Sequence, residues 1–117
     1  MRLNEVVYSD SEPIEGYGSG FFRIGGKVHY GPIVTGPLGT SKWGGFIDQE
    51  PLIQLKGLVD VIFFGTGSEI KQIPVELRTF IEELGIGVEI MSSSSASRTY
   101  NVLLSEGRRI AIALLPV

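Results

Sequence analysis

The sequence predicts an α/β fold: a single domain in three layers, with a mixed β-sheet, helices on that sheet and an N-terminal antiparallel hairpin layer. Two observations carry this. From Val59 to Val117 the chain reads strand, helix, strand, helix, strand, a βαβαβ half whose crossovers imply parallel neighbours in one sheet. From Ile14 to Pro37 it is instead dense in glycine, aromatic and β-branched residues, the composition of antiparallel hairpins.

In chain order, residues 1–12 carry Glu5, Asp10 and Glu12 with little periodic pattern and are expected to be partly loose. Val6, Val7 and Tyr8 could add a short strand there. The domain proper spans residues 13–117. Gly25-Gly26 lies between two β-rich runs, and tight hairpin turns require positive φ. A two-residue loop sets Phe22 opposite His29 and Phe21 opposite Tyr30; a longer loop shifts those partners. Both versions make Phe21–Ile24 and Val28–Val34 antiparallel strands, with Gly31-Pro32 a bulge or strand edge.

Gly36–Gly45 reads as a loop containing the single tryptophan, Trp43. It is either a lid over the core edge or an exposed contact residue, since tryptophan often anchors interfaces. Asp48 is expected to cap a short helix with Pro51 near its start and Leu52, Leu55 and Leu58 toward the core. Strands are expected at VDVIFF (Val59–Phe64), GVEIM (Gly87–Met91) and IAIALL (Ile110–Leu115). The first and last are apolar enough to be covered on both faces. Glu89 in the middle strand marks either an edge strand or a buried pair with Arg98, Arg108 or Arg109.

The first helix is predicted over Pro74–Leu84. Leu77, Phe80, Ile81 and Leu84 form one apolar stripe, Pro74 suits the first helical position and Gly85 the stop. The second, over Ala96–Glu106, places Ala96, Tyr100, Leu103 and Leu104 on one side and is closed by Gly107.

Composition narrows the function. At 117 residues and a net charge of −3, with basic residues scattered from Arg2 to Arg109, no basic stripe exists to neutralise a run of phosphates, so no nucleic-acid partner is expected. Cysteine is absent, which removes disulfides, thiolate nucleophiles and cysteine-held metals. The opening MRLNEVVYSD lacks the basic-then-apolar order of a secretory leader. The apolar run Ile110–Val117 is far short of the roughly 20 residues that span a bilayer. A cytoplasmic location without direct membrane insertion is the expectation.

In parallel sheets, ligands bind beyond the carboxyl ends of the strands. Two turns qualify: Gly65-Thr66-Gly67-Ser68-Glu69, and Ser92–Ser95 leading into Ser97 and Arg98. They are expected side by side at one rim of the sheet. Gly65, Thr66, Gly67, Ser92, Ser93 and Ser94 could form an anion pocket with Arg98 as its charge. The alternative is that the glycines let the chain turn and one serine caps the helix. Gly-Thr-Gly is neither the dinucleotide fingerprint nor the phosphate loop with its lysine. Arg98, Thr99 and Asn101 either present a polar edge to a ligand or partner, or Tyr100 packs inward while Thr99 and Asn101 satisfy backbone groups near the helix start. His29 is the only histidine and sits on a hairpin strand away from the serines. The acidic residues show no ligand spacing. No catalytic residue, cofactor or metal is expected.

The segments MSSSSASRTYNVLLSEGRRIAIALLPV, IEGYGSGFFRIGGKVHYGPIVTGP and FFGTGSEIKQIPVEL together resemble a small family. It contains the mitochondrial complex I assembly factor 3 and the adipogenesis-associated domain protein, with bacterial and archaeal members of unknown function. The chain departs from it at the serine run. Many members have an acidic residue, a threonine and later a cysteine where this chain has Ser92, Ser93 and Ser97, so a role needing that carboxylate or thiol is not expected here. The resemblance implies a mixed-sheet α/β domain with an extra hairpin layer, no established enzymatic activity, and protein partners among membrane-complex subunits. Bacterial relatives encoded beside translocation components point the same way. The resulting expectation is a non-enzymatic protein-binding module aiding assembly of a respiratory or other membrane-associated complex, with its partner patch near Trp43 or Arg98–Asn101. The alternative is an anionic-ligand binder or enzyme using the turns after Phe64 and Met91.

Overall fold

The structure is a computed structural model that describes residues 11–117; the strand expected at Val6–Tyr8 lies outside the described residues. Three strands, β1 (Ile14–Gly18), β2 (Phe21–Ile24) and β3 (Lys27–Tyr30), form an antiparallel sheet in that order. Five more, β4 (Ile33–Gly36), β5 (Gly39–Lys42), β6 (Val61–Thr66), β7 (Gly87–Met91) and β8 (Ile110–Leu115), form a mixed sheet ordered β5-β4-β8-β6-β7. The helices are α1 (Glu50–Ile53), α2 (Val75–Glu83) and α3 (Ser93–Ser105).

The layering comes from alternation along the central strands. Ile62 and Phe64 of β6, with Ala111 and Ala113 of β8, face a core shared with Leu52, Leu77 and Ile81 of α1 and α2. Phe63 of β6, with Ile110, Ile112 and Leu114 of β8, faces the opposite core, shared with Tyr100 and Leu104 of α3 and with Ile14, Phe22 and Ile24 of the small sheet. The chain passes from β6 to β7 in one direction and returns across β6 to β8. Right-handed crossovers in opposite directions place α2 and α3 on opposite faces. Three layers result, as expected, and both central strands are covered on both sides.

The β2–β3 hairpin has the two-residue loop, with Phe22 opposite His29 and Phe21 opposite Tyr30. Gly25 at φ 59° and Gly26 at φ 76° supply the left-handed pair that such a turn needs. Glu89 lies solvent-exposed on the outer strand β7, the first of the two readings. Arg109 instead pairs with Asp60 at 3.0 Å, and that hydrogen bond holds the Asp60 carboxyl below its usual range.

Several expectations are corrected. Val28–Val34 is not one strand: at Gly31 (φ 81°) and Pro32 the chain leaves the small sheet, and β4 enters the large one. Gly36–Gly45 is not a loop, because β5 pairs with β4 there and the Thr35 and Thr40 hydroxyls meet at 2.7 Å. Asp48 lies one residue before the N-cap, which is Gln49 without a side-chain bond, and its carboxylate accepts from Glu50 N at 3.3 Å and from Gly44 N at 2.8 Å. Leu58 is 40% exposed and stays out of the core. β6 starts at Val61, not Val59, and runs on through Gly65 and Thr66. Pro74 is the N-cap of α2 rather than its first residue. α3 begins at Ser93, three positions before Ala96, so most of the serine run is helix.

Candidate functional site

The ends of β6 and β7 emerge together because the two strands are adjacent and parallel, with Gly65 beside Met91. Beyond these ends the two turns interlock. Gly67 N donates to Ser93 Oγ at 2.9 Å, Ser93 N donates back to Gly67 O at 2.8 Å, and Ser93 Oγ donates to Leu115 O at 2.6 Å. One buried hydroxyl thus joins the ends of β6 and β8 to the start of α3. Gly67, at φ 96°, adopts a backbone that side-chain-bearing residues disfavour. Gly65 permits the close approach: a Cβ there would sit 2.8 Å from Ser93 Cα and 2.5 Å from Leu114 Cδ2.

The other hydroxyls are also engaged. Thr66 Oγ1 donates to Glu69 O at 2.8 Å and accepts from Lys71 N at 2.9 Å, which shapes the turn. Ser92 is the N-cap of α3, accepting from Ser95 N at 3.4 Å. Ser94 is half-buried, its hydroxyl 3.5 Å from that of Ser92. Arg98 is exposed on the helix, donating to Ser95 Oγ at 3.4 Å. The turns therefore meet at one rim, as expected, but Gly65, Thr66, Gly67 and Ser93 are buried in mutual contacts.

Arg98, Thr99 and Asn101 do not form one edge. Asn101 reaches across to β1, where Oδ1 accepts from Ile14 N at 2.8 Å and Nδ2 donates to Ile14 O at 2.9 Å. Its amide thus acts as a one-residue strand partner, satisfying a distant backbone rather than the helix start. Tyr100 packs inward, fully buried, with its hydroxyl donating to Glu12 O at 3.3 Å. Burial, reinforced by the charge of Glu12, pushes its phenol well above the usual range. Thr99 lies on the opposite flank of α3, in a groove of about 390 Å³ with Arg98, Val102 and Leu103. Trp43 is 4% exposed, packed on Phe46 and Phe64 with Nε1 donating to Asp48 O at 2.8 Å. It is a lid and offers no partner surface.

Beside the interlocked turns lies a polar groove of about 430 Å³ lined by Thr66, Gly67, Ser68, Glu69, Lys71, Leu115 and Pro116. It lies beyond the carboxyl ends of the parallel strands β6 and β8, the end of a parallel sheet at which ligands bind. Lys71 and Pro116 were not among the expected site residues; their place after strand ends was the only available signal. His29 lines a separate cleft of about 320 Å³ with Glu12, Lys27 and Thr40. Among the described residues no group of three His, Asp or Glu side chains could hold a metal ion, and no helix is long and apolar enough to cross a membrane.

Residues 14–115 match a family described as protein of unknown function (DUF498/DUF598). An uncharacterized protein of Rhodobacter capsulatus is 45% identical over 117 residues, covering 100% of this chain and 94% of that protein. NADH dehydrogenase [ubiquinone] 1 alpha subcomplex assembly factor 3 of Xenopus tropicalis is 31% identical over 110 residues, covering 88% of this chain but 60% of that protein. The human protein of the same name is 26% identical over a similar stretch. Among solved structures, an outer membrane protein from Bartonella henselae superposes with a TM-score of 0.85 at 34% identity, covering 92% of this chain and 97% of that one. A Mth938-like domain of Bordetella pertussis gives 0.75 at 25% identity, covering 99% of this chain and 90% of that one.

Proposed function

The chain belongs to the DUF498/DUF598 family, and from that premise we propose that it is a non-enzymatic protein-binding module that assists assembly of a respiratory or other membrane-associated complex in the cytoplasm. The observation that carries this reading is that relatives named as complex I assembly factor 3 align with 88% or more of this chain. The chain spans about 60% of their length, so the shared part is the domain described above. The state of the rim supports the same reading. Its hydroxyls bond to one another and to main chain, which leaves exposed surfaces rather than a preformed anion cradle for recognition.

The test is to remove the gene from its host and follow respiratory complex I on native gels, with the tagged chain used for reciprocal capture of named complex subunits. Loss of assembled complex and capture of one of its subunits from both directions are expected. Normal assembly in the deletion strain would overturn the proposal.

A second reading is favoured by one observation, the polar groove beyond the carboxyl ends of β6 and β8. There Lys71 and Ser68 would contact a small anion. A ligand at 100 times its dissociation constant adds roughly 2.7 kcal/mol to stability. A thermal-shift screen with phosphorylated metabolites in which nothing moves the melting point, and in which Lys71→Ala behaves as the wild type, removes this reading.

A further inference from the structure

We propose that the open edge of β3 pairs antiparallel with β3 of a second copy of this chain, about a two-fold axis through His29, joining the two small sheets into one. This goes beyond the assembly reading and does not depend on it.

The β2–β3 hairpin decides which groups are on offer. Its two-residue loop closes on Ile24 and Lys27, the pair that exchanges hydrogen bonds in such a turn. Bonded and non-bonded pairs alternate along an antiparallel ladder. Lys27 and His29 therefore turn their main chain to β2, while Val28 and Tyr30 turn theirs outward. Among the described residues β3 is an outer strand, with Val28 41% and Tyr30 69% exposed. An uncovered strand edge of this kind is a template for pairing.

The edge matches itself. With His29 opposite His29 of the second copy, Val28 falls opposite Tyr30 and Tyr30 opposite Val28. Both are bonded pairs, so every outward donor and acceptor of the two strands is used. His29 is the cross-strand partner of Phe22, which is fully buried, so both stand on the core side of the small sheet. Val28 and Tyr30 stand on its outer face, where the Tyr30 and Phe21 rings lie 6.1 Å apart. Across the axis each Val28 packs beside Tyr30 of the second copy, an aromatic–β-branched pair of the kind that stabilises sheets. Lys27 falls opposite Gly31, past the end of the strand, and faces no charged residue across the axis. The cleft that His29 lines carries one charge of each sign, Glu12 and Lys27.

The other outer edges suit a second copy less well. An axis through the middle of β7 sets Glu89 against Glu89, a like-charge opposition that destabilises pairing. β5 reads Gly-Thr-Ser-Lys, with no large apolar side chain to bury. In β1 the main chain of Ile14 is already bonded to Asn101.

The experiment is sedimentation equilibrium with amide hydrogen exchange on the full chain, at mildly alkaline pH where imidazoles are uncharged. At about 0.1 mM, enough to fill a dimer of micromolar affinity, the chain should sediment as a dimer. The Val28 and Tyr30 amides should be protected there and lose protection on dilution. Val28→Pro removes an outward donor that no β2–β3 bond uses and should weaken the dimer at least about tenfold. The Phe22 and Ile24 amides, bonded to β3, should stay protected in that variant. The His29→Lys and His29→Glu chains should each sediment as monomers and form a mixed dimer when combined, the signature of an axis through this residue. A wild-type monomer at that concentration, a dimer whose Val28 and Tyr30 amides exchange freely, a dimer indifferent to Val28→Pro, or charge variants that stay apart when mixed would each overturn the proposal. So would protection of Val28 and Tyr30 that does not change with concentration, which would give the edge to another segment of the same chain.

Discussion

Replacing Asn101 by alanine removes both hydrogen bonds that hold Ile14 of β1 against α3, at 2.8 and 2.9 Å. Each such bond contributes about 0.5–1.5 kcal/mol net. The site is part-buried, so water recovers some of what Ile14 loses, and alanine returns up to about 0.7 kcal/mol of helix propensity. The expected loss is therefore about 1.5 kcal/mol. For a chain of 117 residues, 1 kcal/mol corresponds to about 4–5 °C, so Tm should fall by about 6–8 °C. Asn101→Asp keeps an acceptor for Ile14 N but sets a carboxylate oxygen against Ile14 O, and it should be at least as damaging. The effect should also be local: the Ile14 amide exchanges faster relative to global stability, while β6 and β8 amides do not. Thermal melts and amide exchange by NMR read both quantities. An Asn101→Ala protein within 0.5 °C of the wild type, with Ile14 equally protected, would refute the strand-partner role.

The remaining predictions concern the same face of the sheet. Gly65→Ala should destabilise by about 1–3 kcal/mol in urea unfolding, because the new methyl meets Ser93 Cα and Leu114 Cδ2 and one of the two is helix backbone. Ser97→Ala should stabilise by about 1 kcal/mol in the same assay, since Ser97 Oγ is buried with no hydrogen-bond partner and alanine removes a desolvated hydroxyl from a helix. Tyr100 carries a pH signature. Its folded pKa is raised by burial, so above the unfolded value of about 10 the unfolded chain releases this proton and the folded chain keeps it. Stability from this group is complete below about pH 10 and falls by about 1.4 kcal/mol per pH unit above it. Tyr100→Phe should flatten that alkaline slope in denaturant melts while costing the bond to Glu12 O; an unchanged slope would count against the assignment.

The parts legible in the sequence were those whose neighbours are implied by local pattern. β6 and β8 read as doubly covered because their apolar runs are continuous. Gly25-Gly26 marked the β2–β3 hairpin, but its register stayed open between two loop lengths until the pairing of Phe22 with His29 fixed it. Glu89 narrowed β7 to an edge strand or a buried ion pair, and its exposure on the outer strand decides for the edge. β5 was not legible: Gly39-Thr40-Ser41-Lys42 has no apolar alternation, and its order comes from pairing with β4. Nor was the start of α3, because serine favours caps and turns over helix interiors. Ser93 is drawn into the helix by its bonding to Gly67 and Leu115, the latter 22 positions away in sequence. That same separation is why the rim could be placed and its filling could not.

The position of β8 governs how the domain can be made. β8 joins β4 on one side to β6 on the other, so it is the seam between the early antiparallel strands and the later parallel ones. Until residues 110–115 have left the ribosome, each half exposes an apolar strand edge with nothing to zip onto. Closure of the large sheet therefore waits on β8, the one strand that pairs with both halves.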